Sequence, residues 1–340
     1  MKRKTFLTSV FTTAAALQSI AMGNGHTEDE AKKIQTPAYL KPGDTIGISS
    51  PAGYMSLEAI QPAVLRLQAW GFKVIVGSTI GKKDFTFGGT DELRGADLQA
   101  MINDPSIKAI LCARGGYGAV RIVDQINFKA LKKQPKWIIG FSDITVLHCH
   151  LQQHVAMASI HSKMCNSFPD EWEVADELQQ ITIQSIFDCL TGKKMQYSAL
   201  PNTANKIGTA KGVLVGGNLK TIESLAGSKS DIDTAGKILF VEDTGEYLYS
   251  IDRMFWNLQR SGKLKQLSAL IIGGFKIKKD DTGEEFGKTL EEIVLEKVKD
   301  FNYPVCFDFP VGHQKNNYAL KCGVPHELTI DKEKTILLEI

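Results

Sequence analysis

Short unbroken apolar runs alternate along the chain with longer stretches in which apolar residues recur every three or four positions. "GDTIGISSPAG" predicts a strand ending in a Ser-Ser-Pro turn, and "LEAIQPAVLRLQAWGF" has helical spacing. "KVIVG" is a second strand, "DELRGADLQAMIND" a second amphipathic helix, "IKAILCA" a third strand, and "RGGYGAVRIVDQI" a loop turning into helix. Strands that are apolar throughout, rather than at every other position, belong to a parallel sheet covered on both faces. The pattern lapses over 191–210, which is rich in Lys, Asn, Thr and Gly and reads as a linker. Beyond it "GVLVGG", "KILFVED" and "ALIIGGF" are strands, while "YSIDRMFWNLQRSGKL" and "TLEEIVLEKVKDF" are helices. The expected architecture is α/β, with an N-terminal parallel-sheet domain over 37–190 and a smaller C-terminal α/β domain over 211–340. No internal repeat or low-complexity segment is evident.

The first residues change the picture. "MKRKTFLTSVFTTAAALQSIAMG" places Lys2, Arg3 and Lys4 ahead of an apolar stretch that carries no charge, the layout of an export signal over 1–23, with a polar tail over 24–36. A periplasmic or otherwise exported protein is expected, or a cytoplasmic one if the signal is not used. No other segment has the apolar length of a membrane span, so no stable membrane insertion is expected once the signal is removed. The 340 residues hold 40 Lys and Arg against 38 Asp and Glu, a balance that points to neither nucleic acid nor an anionic membrane as partner. Six scattered cysteines contain no Cys-x-x-Cys pair, which removes zinc knuckles and dithiol redox motifs. Buried thiols are the expectation.

Candidate chemistry gathers where strands end. "KWIIGFSD" puts Ser142 on a tight strand-to-helix turn, a place from which a hydroxyl projects outward beside free backbone amides. The alternative is that Ser142 caps the following helix. A serine nucleophile needs a base, and the base needs an acceptor to orient it. Glu242 closes the strand "ILFV" and His313 follows "FDFPVG", both at strand ends, where open α/β sheets collect functional groups. "HCHLQQH" sets His150 and His154 four apart as zinc ligands are set, but without the glutamate of a metallopeptidase. "ARGGYGAVR" lacks the third glycine of a dinucleotide fingerprint, since position 121 is Arg121. Its bare amides can still face a developing negative charge, with Arg114 beside them for a substrate carboxylate.

Together, "LKPGDTIGISSPAG", "FGGTDELRGADLQAMINDPSIKAILCARGGYGAVRIVD", "IIGFSDITVL", "GVLVGGNLKTIESLAGS", "ILFVEDTGEYLYSIDRMFWNLQRSGKL" and "FPVGHQKNNYAL" resemble, in order, the LD-carboxypeptidase family of serine peptidases. That family includes muropeptide-recycling enzymes and microcin C self-immunity peptidases. The resemblance implies Ser142 as nucleophile, His313 as base and Glu242 as its orienting carboxylate. It also implies an oxyanion hole from the amides of Gly116 and Asp143, a site at the interface of the two domains, and a homodimer. It implies a substrate of the murein tetrapeptide class, losing its terminal D-Ala through an acyl-enzyme, with no metal and no cofactor. An amidase acting on peptidyl or aminoacyl nucleotides is the alternative within the family, and a non-enzymatic exported solute-binding protein the alternative outside it. The chain departs from the family at 160–164, reading "IHSKM" where many members have "IHGP".

Overall fold

In a computed structural model, residues 34–340 are described; the segment 1–23 expected to be an export signal and nearly all of the stretch 24–36 lie outside them. The first apolar runs become β1 (Thr45–Ser49), β2 (Lys73–Val76), β3 (Ile107–Cys112), β4 (Trp137–Gly140) and β5 (Ser159–His161). Between them lie α1 (Leu57–Ala69), α2 (Asp91–Asn103), α3 (Ala119–Ile122), α4 (Lys129–Lys133) and α5 (Thr145–His150). The two longest of these helices start at hydroxyl caps: Ser56 accepts from the Ala59 amide and Thr90 from that of Leu93. α1 turns Ile60, Ala63, Val64 and Leu67 to the sheet, the spacing that its sequence shows.

These five strands pair in parallel in the order β5-β4-β3-β1-β2. The chain therefore winds one way from β1 to β2 and the other way from β3 onward. The turns after β1 and β3 diverge at that reversal and leave a crevice at the carboxyl ends of the strands. There Gly53 of the "SSPAG" turn donates its amide to the Gly115 carbonyl of the glycine-rich turn, at 2.9 Å.

The region 191–210 is not loop throughout. After α6 (Glu177–Leu190) it carries β6 (Gln196–Ala199) and the start of β7 (Gly208–Asn218). Then follow α7 (Leu219–Ser224), β8 (Ile238–Glu246), α8 (Leu248–Arg260), β9 (Ala269–Ile277), α9 (Leu290–Val298), β10 (Val305–Cys306), β11 (Leu320–Cys322), β12 (Pro325–Ile330) and β13 (Thr335–Glu339). The second sheet runs β10-β9-β8-β7-β12-β13-β6, parallel from β10 to β7 and antiparallel from there to β6. β11 leaves this sheet and pairs antiparallel with β5, so the first sheet is completed by residues from the far end of the chain.

Residues 34–340 form one compact unit, and each of its two large apolar clusters draws side chains from both sheets. All six cysteines are free and buried. Among the described residues no helix is long and apolar enough to cross a membrane.

Candidate active site

Ser142 follows β4 with φ of 62°, the left-handed region that a residue with a side chain enters only when its surroundings impose it. The crowding is visible around it. A Cβ on Gly140 would come within 2.9 Å of Ile144, and one on Gly115 within 3.0 Å of the Ser142 Cβ. The chain can turn this sharply because both neighbouring positions lack side chains. Ser142 does not act as a helix cap: the helical turn Ser142–Ile144 begins without a side-chain cap bond. Its hydroxyl stands half-exposed at the carboxyl end of the sheet.

The next residue fixes the opposite wall. Asp143 is 7% exposed, and its Oδ2 accepts the Ala119 amide at 2.7 Å. Arg94, fully buried, donates to the Gly118 carbonyl at 2.8 Å and to the Pro51 carbonyl at 2.6 Å, and pairs with Asp91. The Gly118–Ala119 peptide is thus gripped at its oxygen by a cation and at its nitrogen by a carboxyl. Burial pushes the Asp143 carboxyl up to about 6, against the pull of the Ala119 amide and Arg94. Gly116, at φ of 93°, lines the same recess of about 380 Å³ as Ser142 and Asp143. Arg114 is exposed, reaches only the Tyr54 carbonyl at 3.4 Å, and does not line that recess.

The second sheet supplies the other half. Glu242, on β8, is fully buried, and its Oε2 lies 2.6 Å from His313 Nδ1. Its Oε1 has no hydrogen-bond partner among the described residues, so the imidazole is the polar group it depends on. The His313 ring is held by the loop after β10: Gly312 bridges to Gly274 and donates its amide to Asn317 Oδ1 at 2.7 Å. The ring of Phe141, the residue before the serine, lies 4.9 Å from the His313 ring, centroid to centroid. The segment bearing Ser142 thus packs its Phe141 ring against His313, and the hydrogen-bonded pair among the three is Glu242–His313.

Several residues around the site were not singled out by sequence. Asn218, ending β7, caps α7 by accepting from the Thr221 amide, donates its side-chain amide to Asp243 and donates its backbone amide to the Thr145 hydroxyl. It therefore ties the helix after the serine to the second sheet. Asp243 Oδ2 accepts the Lys220 amide, and burial raises its carboxyl to about 6. His148 is buried between the Ser159 hydroxyl and the Gly140 carbonyl, and burial pulls it down to about 4. It is neutral at physiological pH, and its Nε2–H donates to Gly140 and so props the end of β4. His150 and His154, which the sequence sets four apart, engage Ser230 and the Lys229 carbonyl of the loop between α7 and β8. A "GGN" preceding a helix is a readable cap signal for Asn218; the inward turn of His148 has no such signature.

A family profile described as the LD-carboxypeptidase N-terminal domain matches residues 46–162, and one described as the LD-carboxypeptidase C-terminal domain matches 211–328. The "Probable murein peptide carboxypeptidase" of Bacillus subtilis is 31% identical over 310 residues, covering 89% of this chain and 94% of that one. The "Microcin C7 self-immunity protein MccF" of Escherichia coli is 26% identical over 334 residues, covering 89% of this chain and 95% of that one. A crystal structure of muramoyltetrapeptide carboxypeptidase from Oxalobacter formigenes superposes with a TM-score of 0.77 at 27% identity, covering 87% of this chain and 99% of that one.

Proposed function

The chain belongs to the LD-carboxypeptidase family of serine-type peptidases, and from that premise we propose that it releases the terminal D-Ala of murein tetrapeptides through Ser142, His313 and Glu242. The observation that carries the reading is the strained Ser142 turn beside a buried Glu242–His313 pair 2.6 Å apart. Glu242 accepts a hydrogen bond from the His313 Nδ1–H, which fixes the tautomer and leaves Nε2 free as the base. His313 then takes the Ser142 proton while the hydroxyl attacks the carbonyl of the L-centred residue. The amides of Gly116 and Asp143 meet the tetrahedral oxyanion, and the clamp on the Gly118–Ala119 peptide keeps that turn from moving as charge develops. His313 passes the proton to the departing D-Ala amine, and water releases the acyl group. The reading requires Ser142 Oγ to come within hydrogen-bond reach of His313 Nε2 once substrate is bound. It includes export, which places the enzyme beside murein, and pairing of two copies.

Ser142→Ala is expected to lower D-Ala release from a purified murein tetrapeptide by roughly 10⁴- to 10⁶-fold, measured by mass spectrometry of the products. Undiminished release sinks the assignment. The likeness to the microcin self-immunity protein favours one second reading, an amidase on peptidyl or aminoacyl nucleotides. Offering both substrate classes to the same preparation separates the two.

A further inference from the structure

A carboxypeptidase must recognise the free carboxylate of the residue it removes, and the chemistry fixes on which side of the nucleophile that carboxylate lies. The base histidine hands its proton to the leaving amine, so that amine sits against His313. In an amino acid the carboxylate is two bonds from the amine, roughly 3 Å away. The cation that reads it therefore belongs to the His313 side of Ser142. Arg114, beside the glycine-rich turn and reaching toward Tyr54, is on the wrong loop for this.

Three lysines approach the His313 side. Lys315 is exposed and paired with Asp176 at 3.0 Å, and Lys276 is exposed on the outer end of β9. Lys163 differs from both. It lies two residues past β5, in the "IHSKM" segment where this chain leaves its family's pattern, and it is only partly exposed. Its ammonium donates to the carbonyl of Gln314, the residue after His313, at 2.7 Å. It stands 5.8 Å from the ring centroid of Phe141, the residue before Ser142. That carbonyl is its single hydrogen-bond acceptor among the described residues, and an ammonium carries three N–H groups. It also borders a recess of about 280 Å³ lined by Ser167, Gln179, Thr182, Ile183 and Lys315, polar apart from the isoleucine and without a carboxylate.

We propose that Lys163 is the receptor for the substrate's terminal carboxylate, its ammonium bridging that carboxylate and the Gln314 carbonyl so that the leaving residue is held against His313. The assignment rests on the carboxypeptidase reading above and gives it a specificity determinant. Burial and the field of Lys276 pull the Lys163 ammonium down, while Glu242 holds it up, so an incoming anion meets a cation already short of solvent. A charge-assisted bond in such a place discriminates strongly between a carboxylate and a neutral group.

The test pairs two substrates, a tetrapeptide ending in D-Ala and the same peptide ending in D-alaninamide, with wild type, Lys163→Met and Lys163→Arg. Wild type is expected to favour the acid. Lys163→Met should lower kcat/KM on the acid by about 10- to 100-fold and change the amide less than about threefold, and Lys163→Arg should recover part of the loss. Equal losses on both substrates in a Lys163→Met protein that melts with wild type would make Lys163 a staple of the His313 loop and overturn the proposal. An unchanged acid-to-amide ratio would do the same. If wild type cleaves neither peptide, the carboxypeptidase reading itself fails, which is a different result from loss of discrimination in the variant.

Discussion

At the scale of single residues, Asp143 does two jobs that pull against each other. Its backbone is proposed to serve the oxyanion, while its side chain, packed away from water, secures the Ala119 amide. Because burial lifts the carboxyl from 3.8 to about 6, the folded protein gives up this proton later than the unfolded chain does. Below about pH 3 the group is protonated in both states; as pH climbs from near 4 through 6 the unfolded chain ionises first and folding stability is lost. Asp143→Asn has no such proton to lose. Its stability relative to wild type should shift in its favour by roughly 2 to 3 kcal/mol between pH 4 and pH 7, read by urea denaturation at both values. The opposite slope would mean that the folded carboxyl is held ionised. Ser142, Glu242 and His313 stand out in the sequence because each follows or ends an apolar run, a local mark. The role of the Asp143 side chain has no such mark, because its partner at Ala119 is brought near only by the pairing of β3 with β4.

Among elements, the loop carrying His313 shows how little room the dyad has. Gly312 sits at φ of 102°, and a Cβ there would fall 2.4 Å from the Glu242 Cβ and 2.8 Å from its Oε2. Gly312→Ala should therefore push the loop off β8, lowering kcat/KM by about 100-fold or more and stability by roughly 2 to 4 kcal/mol. Gly262 offers the comparison, with φ of 78° and open space around it. Gly262→Ala should cost about 1 to 2 kcal/mol for the backbone alone and leave kcat/KM unchanged. Equal activity losses in the two variants would show that left-handed strain, rather than contact with Glu242, governs the effect. Strands β1 to β4 and β7 to β9 were legible because they are unbroken apolar runs. β5, β10 and β11 were not, being two or three residues long, and β11 centres on a lysine. Lys321 is buried there with its ammonium held by Glu339, on β13, at 3.0 Å and by the Lys193 carbonyl at 3.1 Å, partners that no local window contains.

For the whole molecule, the division into halves is a matter of sequence order more than of packing. Both apolar clusters cross between the sheets, the Asn218–Thr145 bond crosses too, and β11 completes the sheet that bears the serine. Unfolding in urea is therefore expected to be a single transition, with far-UV circular dichroism and tryptophan fluorescence superimposing; two separated midpoints would show that the halves fold independently. The late strand also sets a timetable for biosynthesis. β5 leaves the ribosome about 160 residues before β11, its neighbour in the finished sheet. At the usual pace of translation that interval is roughly 10 to 30 s, during which the flank of the newborn sheet has nothing to bind except a chaperone or another nascent chain.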